Sequence, residues 1–468
     1  MGAWFLLLFL IALGFLGARA VWPAPRVWSA ADAFRMAAAP AIGFGIASAL
    51  FFVLRIVLHQ SPAIVIASVF AALAVAGAIA WSRAGTAAPD ASAPHGSAPI
   101  WLWILLAAGV LMAFLTYLML LGAAPHGEWD AWSIWNLRAR FLFRAQEFIS
   151  PFSSAIEWTH PDYPLLIPSV IALLWHAAGS ESNRIAGAVG FLFLFSAIAA
   201  PFYAVRLLRG TGLAALCALS ILGATSLVRI GASLYADVPL AAFIVIAGSF
   251  LVYGLEVESA GLGPVFLAGL AAGFAAWTKN EGLLFCLSLA AAHLLCVSGV
   301  PDFRRRVRTL LPLLAGIVAV FALVGYFKFR LAPANDLVNA SNTGLFRVRI
   351  VDSNRYWVTF WAFVSEFLTF GGFLVPPVVV FSAWLALVRP RSSLSGAALL
   401  PLVAVTLQLA GYFVIYIATP NDLDWQLNTS LPRLLLHVWP LAVTGIFLIS
   451  RDIFHVTPQP ERREARSK

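Results

Sequence analysis

Five short segments of this 468-residue chain set ionisable side chains at the edges of apolar runs. The first, Gly127-Glu128-Trp129-Asp130-Ala131-Trp132-Ser133-Ile134-Trp135-Asn136, directly follows a hydrophobic helix. Its tryptophans and acids suit an interfacial aromatic belt. They equally suit a carboxylate held at the membrane boundary as a general base, the group needed to take a proton from an attacking hydroxyl. The second, Trp158-Thr159-His160-Pro161-Asp162-Tyr163-Pro164, fixes His160 and Asp162 between prolines, and the third is Tyr235-Ala236-Asp237-Val238-Pro239. In both, the Asp is also a natural helix cap. The fourth, Trp277-Thr278-Lys279-Asn280-Glu281-Gly282, is a polar island between two apolar segments. Lys279 and Glu281 could simply pair, or Lys279 could hold a lipid-linked phosphate by its charge. The fifth, Thr419-Pro420-Asn421-Asp422-Leu423-Asp424-Trp425, is followed by Pro432-Arg433. Asp422 and Asp424 have the spacing of a possible divalent-metal pair, while Arg433 offers a fork that matches phosphate oxygens.

The elements that must position these residues are transmembrane helices. The chain is 61% hydrophobic and 11% charged, against about 25% charged in an ordinary soluble domain. Many of its runs reach the roughly 20 apolar residues that cross a bilayer. The fold expected is an all-α polytopic bundle. Its net charge of +9 falls in short loops and the tail, around Arg206 and Arg209, Arg304 to Arg308, Arg389 and Arg391, and Arg462 to Lys468. That distribution follows the positive-inside bias and reports topology, not a nucleic-acid partner. Cys217, Cys286 and Cys296 lie in apolar runs without metal-ligand spacing and read as small hydrophobes. The run Phe5–Leu16 lacks the positive n-region of a signal peptide and reads as a retained first helix.

The apolar segments are 3–18, 38–58, 62–81, 100–122, 163–178, 185–205, 212–228, 238–255, 264–277, 282–298, 309–329, 358–388, 396–418 and 433–450. With the tail inside, loops 389–395, 299–308, 256–263 and 206–211 count as inner. Loops 419–432, 330–357 (with Asp336), 278–281 and 229–237 count as outer. The acid- and Trp-rich loop 123–160 then falls on the wrong side unless the segment from Tyr163 to Ala178, marginal in length, lies against or partly enters the outer leaflet instead of crossing. That repair gives about 13 crossings, puts loops 19–37 and 82–99 inside, and brings all five polar segments to the outer face. The organisation expected is an N-terminal set of extra helices (1–82), a central module (100–300), C-terminal helices (301–451) and a basic tail (452–468).

In order, Glu128-Trp129-Asp130-Ala131-Trp132, His160-Pro161-Asp162-Tyr163-Pro164-Leu165, Ala236-Asp237-Val238-Pro239 and Thr278-Lys279-Asn280-Glu281-Gly282 resemble the bacterial membrane glycosyltransferases of the GT-C superfamily. Relatives of that kind include lipid A aminoarabinose transferases, protein O-mannosyltransferases and rhizobial lipopolysaccharide galacturonosyltransferases. The resemblance covers roughly residues 100–300, and the stretch from Thr419 to Pro440 is similar to one seen in uncharacterised members. It implies a GT-C-like fold with juxtamembrane helices in the first large outer loop. It also implies inverting transfer of a sugar from a polyprenyl-phosphate donor to a glycolipid or polysaccharide acceptor, at the periplasmic face of the inner membrane. Asp130 would be the base with Glu128 in reserve, and Asp237 the second acidic position. His160, Asp162, Tyr163, Lys279, Asn280, Glu281 and Arg433 would bind substrate, with no cofactor required beyond a possible divalent metal. The adjacent Asp-Glu pair typical of protein O-mannosyltransferases is absent, because Trp129 separates the acids. A multi-pass transporter or lipid flippase is the alternative; it would place its charges near the midplane.

Overall fold

The structure, a computed structural model, describes residues 1–85, 98–145, 152–297, 303–334 and 343–454. Most of the 82–99 linker, Asp336 and nearly all of the basic tail lie outside these residues. Among the described residues all regular structure is helical: α1 (Gly2–Val21), α2 (Ala30–Phe51), α3 (Pro62–Arg83), α4 (Ile100–Ala123), α5 (Asn136–Arg144), α6 (Leu166–Ala178), α7 (Asn183–Arg209), α8 (Thr211–Gly223), α9 (Thr225–Ala232), α10 (Asp237–Glu256), α11 (Gly263–Thr278), α12 (Glu281–Val297), α13 (Phe303–Arg330), α14 (Thr343–Val351), α15 (Ser353–Thr369), α16 (Pro377–Val388), α17 (Gly396–Ala418) and α18 (Leu423–Ile449). Among the described residues nine helices (α1, α2 with its π-helical extension to Val57, α3, α4, α7, α10, α13, α17 and α18) are long and apolar enough to cross a membrane, and two bent pairs raise the number to eleven. This is a multi-pass membrane protein.

The axis of the bundle is α10. Every residue from Asp237 to Tyr253 is buried, as expected of a helix that is apolar all round. Its 20 residues rise about 30 Å, the thickness of a hydrocarbon core. Asp237 and Glu256 therefore mark opposite ends of the molecule. Glu256 meets Arg209 at the end of α7 and Ser395 at the start of α17, while Tyr253 packs on Trp22 between α1 and α2. The loops that sequence assigns to the inner side at 19–37, 206–211, 256–263 and 389–395 thus gather at one end.

Segment 163–178 forms one short helix. The helix α6 has 13 residues, about 20 Å. Its approach, at Tyr163, stacks on Trp135, and its last turn brings His176 onto Phe51 at the far end of α2. It begins and finishes at the Asp237 end. Ten of its residues are buried, so most of its surface is covered by protein.

Two segments read as single spans are broken instead. Segment 212–228 bends by 61° between α8 and α9, and segment 358–388 bends by 84° between α15 and α16. In the second, Gly371 and Gly372 take positive φ, which glycine alone adopts without strain, and Pro376 and Pro377 follow. The breaks face each other: Thr225 Oγ1 donates to the Gly371 carbonyl at 3.2 Å. Irregular backbone at membrane depth is tolerated only inside protein or along a cavity.

Candidate functional site

Asp130 reaches the bundle through a turn. Gly127 has φ +72°, and a Cβ there would lie 2.5 Å from the Ser233 carbonyl, so only glycine lets the loop after α4 settle on residues 233–234. Glu128 N–H donates to that carbonyl at 3.1 Å, and the π-helical turn Ala131–Trp135 then leads into α5. The two acids diverge. Asp130 turns inward and accepts a 2.6 Å bond from Arg433 Nη2. Glu128 is exposed, and its carboxylate has no partner among the described residues.

Asp237 is the hub. It opens α10, yet its side chain caps nothing, which displaces the capping alternative. Its Oδ2 accepts from Arg433 Nη2 at 2.8 Å, and its Oδ1 from Lys279 Nζ at 3.1 Å. His437 Nε2 lies 2.7 Å from Oδ1. The carboxylate is fully enclosed, at 0% exposure, where an ion persists only if paired and hydrogen-bonded. Arg433, on α18, thus joins the two acids and also lies 4.8 Å over the Tyr235 ring.

Lys279, Asn280 and Glu281 form the hairpin between α11 and α12. A Cβ at Gly282 would sit 2.1 Å from the Ala275 carbonyl, so glycine permits the tight approach of the two helices. Lys279 bridges Asp237 and Glu281, each at 3.1 Å. Burial pushes its ammonium down, but Asp237 and Glu281 outweigh that and hold its pKa above the usual lysine value. The Glu281 Oε2 is buried without a hydrogen bond. Asn280 donates to Asp162 Oδ2 at 2.8 Å, and Lys328 Nζ reaches Asn280 Oδ1 at 2.7 Å and Asp162 Oδ2 at 3.6 Å. Asp162, too, binds across the site and does not cap α6, whose cap position is Leu165.

The Thr159–Tyr163 loop is clamped from below. Arg138, buried on α5, donates to the carbonyls of Tyr163 at 2.8 Å, Thr159 at 2.7 Å and His160. Burial brings its pKa down to about 10, with Asp162 and Tyr163 opposing that fall, so it stays charged at neutral pH. His160, in the left-handed region at φ 51°, stacks on Tyr163 at 5.0 Å, and Tyr163 stacks on Trp135 at 5.6 Å. Burial, then the carboxylates of Glu281 and Asp162, raise the Tyr163 phenol well above its ordinary range, so it stays protonated as a hydrogen-bond donor. Lys279 Nζ lies 6.0 Å from the centre of that ring.

Asp130, Asp162, Tyr163, Asp237, Lys279, Asn280, Glu281 and Arg433 therefore meet at one end of the bundle, with His160 one ring further out. Glu128 stands outside. The fifth segment divides: Arg433 enters the cluster, whereas Asp422 accepts from the Trp425 N–H at 2.8 Å and caps α18. Among the described residues no group of three or more His, Cys, Asp or Glu side chains has metal-site geometry. Sequence reasoning missed His437, Lys328 and Arg138. His437 had a signal, since it lies four residues after Arg433 and so on the same helix face.

No family model, curated protein or solved structure matches this chain.

Proposed function

We propose that this protein is a membrane glycosyltransferase of GT-C-like architecture. It moves a sugar from a polyprenyl-phosphate donor to a glycolipid or polysaccharide acceptor, at the outer face of an inner membrane. With both bent pairs spanning, and α11 and α12 each crossing as a short hairpin, the number of crossings reaches the 13 expected from sequence. The reading rests above all on Arg433, whose one nitrogen is shared by Asp130 and Asp237. A candidate base and a candidate phosphate-binding cation are in contact at the rim of an apolar bundle, where an amphiphilic donor keeps its tail in lipid and its head among charges.

In this reading the donor phosphate competes with Asp130 for Arg433 and is also met by Lys279. Arg433 is suited to the part because its planar fork binds phosphate oxygens in pairs. Release of Asp130 leaves a carboxylate free to take the acceptor hydroxyl proton. The acceptor oxygen attacks C1 of the sugar, the C1–O bond to phosphate breaks, and polyprenyl phosphate departs with the bonding electrons. A single displacement inverts the anomeric centre. Asp237, locked by three partners, holds the cations in place and transfers no proton.

The test is transfer from lipid-linked sugar in proteoliposomes. Asp130→Asn cuts transfer by orders of magnitude while leaving the purified protein monodisperse; full activity in that variant would end the assignment of Asp130. A transporter or flippase is favoured by one observation, the facing breaks in α8–α9 and α15–α16, since discontinuous helices commonly line transport sites. Movement of a labelled lipid-linked sugar across sealed vesicles, without any transfer product, would select that reading.

A further inference from the structure

Where the two broken segments meet there is a cavity of about 480 Å³, within the range of small-ligand sites. Its wall includes Ser226 and Arg229 of α9, Glu366 and Thr369 of α15, Phe370 at the break, and Pro432 of α18. Pro432 immediately precedes Arg433, so the cavity and the charge cluster adjoin along α18. The chemistry of the two is different. In the cluster, every charged side chain is paired with another, with one Glu281 oxygen to spare. In the cavity, the Arg229 guanidinium and the Glu366 carboxylate pair neither with each other nor with any other described residue. The Ser226 hydroxyl is buried with no hydrogen-bond partner at all. Arg229 is exposed and Glu366 half-buried, so solvent can serve both. The enclosed Ser226 hydroxyl is the group on this wall left unmet, against the rule that buried polar groups are satisfied. A ligand seated here meets a donor, an acceptor and a hydroxyl.

We propose that this cavity binds the neutral sugar head group of the acceptor; the assignment to the acceptor rests on the glycosyltransferase reading above. A hydroxyl donates and accepts at once, so a vicinal diol can satisfy a guanidinium and a carboxylate together. A phosphate cannot, because Glu366 would repel it. Phe370, held against Trp439 at 5.2 Å between ring centres, supplies an apolar face for the C–H side of a sugar ring. Thr369 already donates to the Ser365 carbonyl at 3.0 Å, and its oxygen remains able to accept. The mouth is open, since Thr225, Arg229 and Thr369 are exposed. The cavity wall includes Pro432 of α18, the helix that also carries Arg433.

The probe is an alkyl glucoside carrying a diazirine, photolysed with the full chain in nanodiscs of neutral lipid, with the labelled peptides then mapped. Labelling is expected in Thr225–Ala232 and in 366–372, blocked by octyl glucoside and not by octyl phosphate. Arg229→Met and Glu366→Ala should each raise the octyl glucoside needed for half-blocking by roughly tenfold, the scale of one charge-assisted hydrogen bond. Ser226→Leu, which fills the cavity without removing a charge, should do the same. Labelling confined to other helices, labelling unchanged by all three variants, or equal blocking by octyl phosphate would each overturn the proposal. Asp130→Asn separates the two readings. It should keep the labelling and lose transfer, so transfer retained in Asp130→Asn counts against the base, and labelling lost only in the cavity variants counts for the cavity.

Discussion

At the Glu256 end of α10, Arg209 lies on Glu256 through two parallel bonds of 2.7 and 2.8 Å, and its remaining Nε donates to the Leu448 carbonyl. Nearby, Asp32 holds Arg35 at 2.9 Å and Arg19 at 3.2 Å, while also completing a capping box with Ser29. Each of these carboxylates belongs to helix ends that it ties together. Asp32 branches to two arginines, but at the Asp237 end the cations branch as well and join several acids. Arg433 serves two acids, Lys279 serves two acids, and Asp237 serves two cations and a histidine. One Glu281 oxygen there is left over. Closed pairs fix where helices stop. A branched network with spare capacity can exchange one partner for a ligand without stranding a buried charge, which a closed pair cannot do.

The largest expected effect tests that difference directly. Asp130→Asn removes a proton acceptor but keeps the side chain's size, so transfer should fall by about 10²–10⁴-fold, the usual contribution of a general base. Its melting temperature should barely move, because Arg433 keeps its bond to Asp237. Asp237→Asn comes next and acts on stability. It leaves Lys279 and Arg433 buried with one counter-charge fewer, a loss of about 3–5 kcal/mol for a broken buried pair. That is read as lowered resistance to unfolding in denaturing detergent. If Asp130→Asn were the destabilised variant and Asp237→Asn the stable one, the roles assigned to hub and base would have to be exchanged.

The sequence made the cluster legible because intramembrane charges are costly and all five segments border apolar runs. It also marked 163–178 as short for a span, and α6 has 13 residues. Which acid faces inward was not legible. Glu128 and Asp130 are two residues apart, and their divergence depends on the Gly127 turn fitting against Ser233, a contact between distant parts of the chain. The breaks were half legible. Gly371-Gly372 and Pro376-Pro377 are strong breakers, yet an apolar run of 31 residues, 358–388, reads as one long span when only hydropathy is followed. The α8–α9 bend has a weaker local signal, the single Gly223 before Ala224. Lys328 and Arg138 were hidden for another reason: each sits within an ordinary basic stretch, and nothing local says that its charge turns toward the site.

A smaller effect is expected at the opposite end. Glu256→Gln cuts the Arg209 pair, where the carboxylate is partly exposed and Ser395 still offers a hydroxyl at 2.7 Å. The cost should be about 1–3 kcal/mol, visible in unfolding, with transfer per folded molecule unchanged. An equal loss of transfer would mean that the two ends are coupled through α10, and the separation drawn between them would fail.

The smallest effect falls on Glu128→Gln and is the most discriminating. Glu128 is exposed and contributes its backbone N–H, not its carboxylate, to the packing against Ser233. The substitution preserves that N–H and the chain length, so both stability and transfer should match the parent protein. Sequence alone ranks this residue beside Asp130, as a second acid in the same turn, and a reserve base would reveal itself in the double variant. Residual transfer in Asp130→Asn that disappears on adding Glu128→Gln would show Glu128 reaching the acceptor after all. Equal residual rates in the single and double variants would confine proton removal to Asp130, and with it to the branched network that Arg433 holds together.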